Sequence, residues 1–357
     1  MGSMPYLIAP EDLDTLLPGE PQYRTEQLHK WLYETPVLTV DGMSNLPASV
    51  RSRFRDRLFP FGVETELTAD DGRTIKWLFR TPDGASIEAV LMGYPRRTTL
   101  CISSQAGCAM ACTFCATGQF GFERHLEPGE IVAQVAYANA FLRRRPIGGS
   151  PQRVTNIVFM GMGEPLANYK RLREALRRLI EVMGVGARSI TVSTVGFVPG
   201  MVALGDDPWQ VNLAVSLHAG DDKLRSTLVP LNDRYPLEDV IAAADRYFKT
   251  KGRRVSIEWT LMEGTNDTSL QAARLAAIAR RLHAHVNVIN LNPTPLTEER
   301  PASQNHVARF VAELERLGIN VTLRDTRGQD IDAACGQLRA RSHTETSIEL
   351  GSGQGVG

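Results

Sequence analysis

An α/β fold built on a parallel sheet, with a helical unit in front of it, is what the sequence predicts. Three observations predict it. From about residue 98 onward, apolar β-branched runs alternate with amphipathic stretches, which implies parallel strands joined by helical crossovers. Just before them, two strand-like runs flank Pro82-Asp83-Gly84, a hairpin signal. Before about residue 70, apolar residues recur at helical intervals. The alternation alone suits an open doubly wound sheet or a full or partial barrel.

In chain order, residues 1–70 form the helical accessory unit, with one segment at Tyr23–Trp31 and a second from Leu46-Pro47 to Leu58-Phe59. Arg51, Arg53, Arg55 and Arg57 fall there as two i,i+4 pairs and predict a broad basic face, solvated or turned toward RNA. Residues 71–93 are the hairpin, with strands at Arg73–Arg80 and Ser86–Met92. Residues 94–335 are the core, and 336–357 the tail, whose polar Gly/Ser-rich stretch Ser342–Gly357 reads as disordered. Core strands fall near Thr98–Ser103, Val154–Met160, Ser189–Thr194, Gln210–Leu217, Val255–Leu261, Val286–Leu291 and Ile319–Leu323. Helices fall near Glu130–Arg144, Tyr169–Met183, Leu237–Lys251, Ser269–His283 and Ser303–Leu317.

Composition narrows the function. Forty basic and 40 acidic side chains cancel, so no general polyelectrolyte attraction exists, although a local basic surface is compatible with that balance. With 43% hydrophobic residues, wholesale disorder is excluded. No apolar run of membrane-spanning length and no secretory pattern is present, so a soluble, cytoplasmic protein is expected. No heptad pattern argues for association, and a monomer is expected. Five cysteines are too few for a disulfide framework.

The polar residues gather at one end of the predicted strands. Cys108, Cys112 and Cys115 follow the first core strand and Gly161-Met162-Gly163-Glu164-Pro165 the second. Ser193 closes the third, Ser216 and His218 the fourth, Glu263 the fifth and Asn292 the sixth. Carboxyl ends of strands are where such folds build their sites. Three thiolates spaced Cys-x3-Cys-x2-Cys on one loop suit a [4Fe–4S] cluster with one iron left open. The alternative is zinc, bound by the same thiolates and His125.

Cys108-x3-Cys112-x-Phe114-Cys115 resembles the signature of the radical S-adenosylmethionine (SAM) superfamily, and Gly163-Glu164-Pro165 its segment for the methionyl amino group. Cys101-Ile-Ser-Ser-Gln-Ala-Gly-Cys108, Gly161-Met-Gly-Glu-Pro-Leu166, Ser216-Leu217-His218 and Asp332-Ala-Ala-Cys335-Gly-Gln look like the RlmN family. The resemblance runs from about residue 20 to 340. It implies a partial (β/α) barrel of the radical SAM type, and methylation of adenosine C2 in 23S rRNA and in tRNA, 3′ of the anticodon. The adenine-C8 methyltransferases share these motifs and remain a rival, as does a zinc-stabilised RNA-binding module without catalysis.

By the same resemblance, Cys335 takes a methyl group from one SAM. A second SAM at the open iron is cleaved reductively to a 5′-deoxyadenosyl radical, which removes hydrogen from the S-methyl group, and the methylene radical adds to C2. Glu88 then removes the C2 proton, and Cys101 attacks the Cys335 sulfur, leaving a disulfide. Apolar neighbours of Glu88 in the sequence suggest a carboxyl adapted to proton abstraction. SAM contacts are implied for Gly163, Glu164, Ser193, Ser216, Leu217, His218 and Asn292, and an electron donor such as flavodoxin or ferredoxin is implied. The basic groups Arg143–Arg145, Arg171/Arg173/Arg177/Arg178, Arg253-Arg254 and Arg280-Arg281 are candidate phosphate contacts.

Overall fold

The computed structural model describes residues 4–294, 297–324 and 327–338. Its N-terminal part contains α1 (Gln22–His29), α2 (Ala48–Ser52) and short helical turns. It packs tightly on the barrel through a shared interior. Leu13, Leu28, Leu32, Met43, Val50 and Phe54 belong to one hydrophobic core continuous with the barrel, and Arg178 donates to the backbone carbonyls of Tyr6 and Ile8, both at 3.1 Å. The expected helix through Phe59 also fails: α2 stops at Ser52, and the turns after it let both Phe54 and Leu58 reach the core. Nor is its arginine face a free basic surface, because Arg55 pairs with Asp41 at 3.2 Å and Arg53 with Glu20 at 3.4 Å.

Strand β1 (Gly62–Ala69) lies inside the region read as helical. It pairs antiparallel with β2 (Thr74–Arg80), which pairs with β3 (Ser86–Tyr94), so the hairpin is a three-stranded meander. Strand β3 runs antiparallel to β4 (Arg97–Cys101), joining the meander to the main sheet. Between β4 and the next sheet strand lie a small two-stranded ladder, β5 (Gln105–Gly107) with β6 (Phe122–His125), the short α3 (Ala116–Gln119) and α4 (Pro128–Arg144). Helix α4 starts on Pro128 with a capping box between Glu127 and Glu130.

From β4 the sheet is parallel through β7 (Asn156–Phe159), β8 (Ile190–Thr194), β9 (Asn212–Ser216), β10 (Ser256–Leu261), β11 (His285–Asn290) and β12 (Val321–Leu323). The intervening helices are α5 (Tyr169–Arg177), α6 (Val198–Asp206), α7 (Asp222–Leu228), α8 (Leu237–Lys251), α9 (Ser269–Arg281) and α10 (Gln304–Arg316). Among the described residues β12 pairs only with β11, so the barrel is open, as expected of a partial (β/α) barrel.

A C-terminal strap, residues 327–338, crosses the open side. Arg327 donates to the Gly93 carbonyl at 3.0 Å, Lys76 to the Asp332 carbonyl at 3.0 Å, and Thr117 to the Leu338 carbonyl at 2.6 Å. Gln337 and Leu338 are buried, so the predicted boundary after Cys335 falls inside a packed segment. The stretch read as a disordered tail lies outside the described residues.

Candidate active site

The three clustered cysteines sit on the loop between β5 and α3. Gly107 turns the chain into it at φ +72°, where a Cβ would strike the Gly121 carbonyl, and Ala111 holds a left-handed conformation at φ +53°. Cys108, Cys112 and Cys115 all line one cavity of about 940 Å³ at the carboxyl ends of the strands. Burial pushes the Cys108 thiol up to about 12 and raises Cys112 and Cys115 as well. Such thiols ionise when a metal replaces the proton. Among the described residues no three Cys, His, Asp or Glu side chains converge on a single-ion site, and His125 Nδ1 is 3.0 Å from Gln105 Nε2. The donor set therefore fits a cluster that spreads its irons over three thiolates better than it fits one zinc ion.

Opposite the cysteine loop, the same cavity is lined by Gly163, Glu164, Ser193, Ser216 and His218. Gly163 has φ +98°, and a Cβ there would run into Gln105. The buried Glu164 carboxyl accepts from Leu166 N at 3.0 Å and Val195 N at 2.9 Å, tying together the ends of β7 and β8. Burial raises it to about 7. His218, at φ +59°, accepts from Thr260 N at 3.0 Å through Nδ1, which leaves its Nε2 proton available to a ligand. Burial, and then Arg225, lower His218 to about 3. The unfolded chain therefore takes up a proton that the folded ring refuses, and stability contributed by this group falls as pH drops from about 6.5 toward 3. We expect the His218 ring resonances to stay in the neutral form from pH 8 to pH 5 by NMR, and a titration midpoint near 6.5 would contradict the burial.

Three expectations need correction. Leu217 does not line the cavity: its side chain is fully buried, and its backbone is bonded to the Glu258 carbonyl and to Arg225. Asn292 faces the neighbouring cavity, where it donates to the Cys335 carbonyl at 3.1 Å and positions the strap. Glu263 follows the end of β10 but lines neither cavity, and it lies 3.8 Å from His306. Sequence reasoning missed Arg225 on α7, fully buried behind this wall. It donates to the carbonyls of Leu217 (3.2 Å), Ser216 (3.4 Å) and Val195, and to Asn232 Oδ1 (2.8 Å).

Cys335 lines the cysteine-loop cavity and also a second cavity of about 1480 Å³, which Cys101 lines as well. Its side chain is exposed to that interior space. The two remote cysteines, 234 positions apart in the chain, are close enough that a charge on Cys335 raises the Cys101 thiol, already pushed up by burial. Burial also raises Cys335, with Glu258 adding to the effect and Arg324 opposing it. Glu88 is buried on β3, two residues from Val90, which faces Cys101 across the β3–β4 ladder. Its surroundings are not purely apolar, because Lys76 Nζ lies 2.9 Å from Glu88 Oε1 with both side chains buried. Lys76 is opposite Val90, so the pair is the diagonal neighbour that the hairpin register produces.

Six of the eleven arginines in the basic groups are paired with carboxylates. Arg145 pairs with Glu66, Arg171 with Glu127, Arg173 with Asp207, Arg177 with Glu11 and Glu174, Arg178 with Glu174, and Arg281 with Glu238. These six are the weaker candidates for phosphate contact.

Comparison with known proteins agrees with this geometry. The model of the radical SAM superfamily matches residues 102–276, and that of the ribosomal RNA large subunit methyltransferase N-terminal domain matches residues 16–59. The chain is 48% identical over 330 residues to a probable dual-specificity RNA methyltransferase RlmN of Frankia alni, covering 90% of this chain and 79% of that protein. It is likewise 48% identical over 329 residues to the Thermobifida fusca protein of the same name, covering 90% of each. A crystal structure of a radical SAM methyltransferase from Sphaerobacter thermophilus superposes with a TM-score of 0.87 at 48% identity, covering 94% of this chain and 99% of that one.

Proposed function

Because the chain belongs to the RlmN family of the radical SAM superfamily, we propose that it methylates C2 of adenosine in 23S rRNA and, 3′ of the anticodon, in tRNA. The observation that carries the mechanism is the place of Cys335, which opens onto the cysteine-loop cavity on one side and faces Cys101 on the other. Cys108, Cys112 and Cys115 would hold a [4Fe–4S] cluster, and Gly163, Glu164, Ser193, Ser216 and His218 would hold SAM. Together these cofactors supply the methyl group and the one-electron chemistry that lets it reach an electrophilic ring carbon.

The chain does the rest. Cys335 carries the methyl group as a thioether between the two cavities. Glu88 takes the C2 proton, and the Lys76 ammonium beside it stabilises the carboxylate that accepts it. Cys101, as a thiolate, attacks the Cys335 sulfur, and the bond from that sulfur to the former methyl carbon breaks. Its electron pair stays with the base, and a proton taken up at that carbon completes the methyl group. A Cys101–Cys335 disulfide remains, to be reduced before the next turnover. An electron donor of the flavodoxin or ferredoxin kind, a cytoplasmic location and a monomeric state complete the reading. Among the described residues no helix is long and apolar enough to cross a membrane.

Anaerobic purification followed by nucleoside analysis tests the proposal. We expect a brown protein with about four irons per chain, and 2-methyladenosine in both RNAs. A colourless protein holding one zinc would overturn the radical chemistry, and 8-methyladenosine would overturn the C2 assignment that the RlmN-named relatives support. Cys101→Ala should accumulate a covalent protein–RNA adduct, visible as a shifted band on a denaturing gel. Wild-type turnover by that variant would remove Cys101 from the mechanism.

A further inference from the structure

Many arginines of this protein are paired with carboxylates, but among the described residues Arg97 and Arg324, at the mouth of one cavity, are not. The second cavity runs down the lumen from Cys101 and Cys335 toward the amino ends of the strands. There it is lined by Asn156, Ser256 and His285, the first residues of β7, β10 and β11. Arg97, the first residue of β4, and Arg324, just past β12, also line it, and both are exposed. Among the described residues no carboxylate lies within ion-pair distance of either.

An aromatic ring steadies the first of these cations. Tyr94 packs its ring against the guanidinium of Arg97 at 4.3 Å and that of Arg327 at 4.2 Å, and Arg327 is fastened to the Gly93 carbonyl at 3.0 Å. Deeper in, the wall is mostly uncharged, with Thr99, Thr191 and Asn287 giving way to Met92, Val158, Met160 and Leu338 around Cys101. The one acid there, Glu258, is buried and accepts from Asn287 Nδ2 at 2.8 Å. A cationic rim, a largely uncharged shaft with apolar and amide side chains, and a thiol at its inner end match a nucleotide, with phosphates outside and the base within. The cysteine loop occupies the other side of Cys335, so an acceptor must reach that sulfur from this side.

We propose that the acceptor adenosine is inserted into the lumen from the amino ends of the strands, opposite the cysteine loop, with flanking phosphates held by Arg97 and Arg324. The proposal rests on the function assigned above and locates its RNA. It makes Tyr94 a positioning residue that stiffens Arg97, and it assigns the paired arginines elsewhere no part in RNA affinity.

The test is affinity for a tRNA transcript over a range of salt, with the full chain. We expect Arg97→Gln and Arg324→Gln each to weaken binding about tenfold at moderate salt and to reduce the salt slope by about one. Arg97→Lys should keep the slope, and Arg281→Gln, whose guanidinium is paired with Glu238, should bind as wild type. Wild-type affinity and slope in the Arg97→Gln/Arg324→Gln double variant, or an equal loss in Arg281→Gln, would overturn the proposal. The intact mass of the wild-type protein tests the underlying reading separately. Absence of a methyl group on Cys335 after exposure to SAM and reductant would overturn the carrier chemistry, whereas unchanged RNA binding overturns the clamp.

Discussion

Replacing Cys335 by alanine should reduce RNA methylation by at least about a thousandfold, with the fold and the cluster intact. The reasoning is geometric. Cys335 is the thiol that meets both cavities, and alanine has no atom on which to carry a methyl group. The side chain faces open interior space rather than packed core, so losing its sulfur should cost no more than about 0.5 kcal/mol. Cys108, Cys112 and Cys115 are untouched, so the variant should purify brown. The readouts are tritium transfer from labelled SAM into RNA and into protein, both of which should vanish. Full RNA methylation by Cys335→Ala would end the covalent mechanism, and a colourless variant would show that Cys335 is needed for cluster assembly.

The second large effect concerns stability. Arg225→Met should destabilise the fold by about 3–5 kcal/mol. The arginine is fully buried, and burial lowers it only to about 10, so it is charged at neutral pH. Its guanidinium joins the carbonyls of Val195, Ser216 and Leu217 to Asn232. Methionine fills similar space and leaves four acceptors without that donor in a site closed to water. Those carbonyls belong to the ends of β8 and β9, where Ser193, Ser216 and His218 face the cavity. SAM affinity should therefore fall as well, read by equilibrium dialysis under conditions where the variant is folded. A midpoint of denaturation equal to wild type would show that the network contributes little.

Much of this was legible beforehand because buried parallel strands announce themselves. Strands β7 to β11 appear in the sequence as runs rich in apolar and β-branched residues, such as Ile157-Val-Phe159, and the structure trims them by one to three residues or, for β11, shifts the strand by one. Strand β1 gave no such signal: its side chains are mostly exposed, and at the edge of the sheet polar and apolar residues are equally tolerated. β5 and β6, short and interrupted by a register shift at Gly107, flank the cysteine loop and carry no apolar run to announce them. The cysteines could be found from spacing, whereas Lys76 and Arg225 could not. A charged residue in a sequence reads as surface by default, and only the β2–β3 register or the convergence of several strand ends shows what it neutralises. Asn292 was found for the wrong reason, since what distinguishes it is its bond to the strap that carries Cys335.

That strap has a consequence for biosynthesis. Residues 327–338 follow every strand of the barrel in the chain, and they dock on β2, β3 and α3, which were made much earlier. During translation the barrel and its cysteine loop emerge first, while the methyl carrier is still to come. A nascent chain can thus fold and acquire its metal centre while it has no sulfur from which to alkylate anything. Competence for methyl transfer arrives only with this strap, so ribosomes stalled before it would release polypeptides unable to methylate RNA.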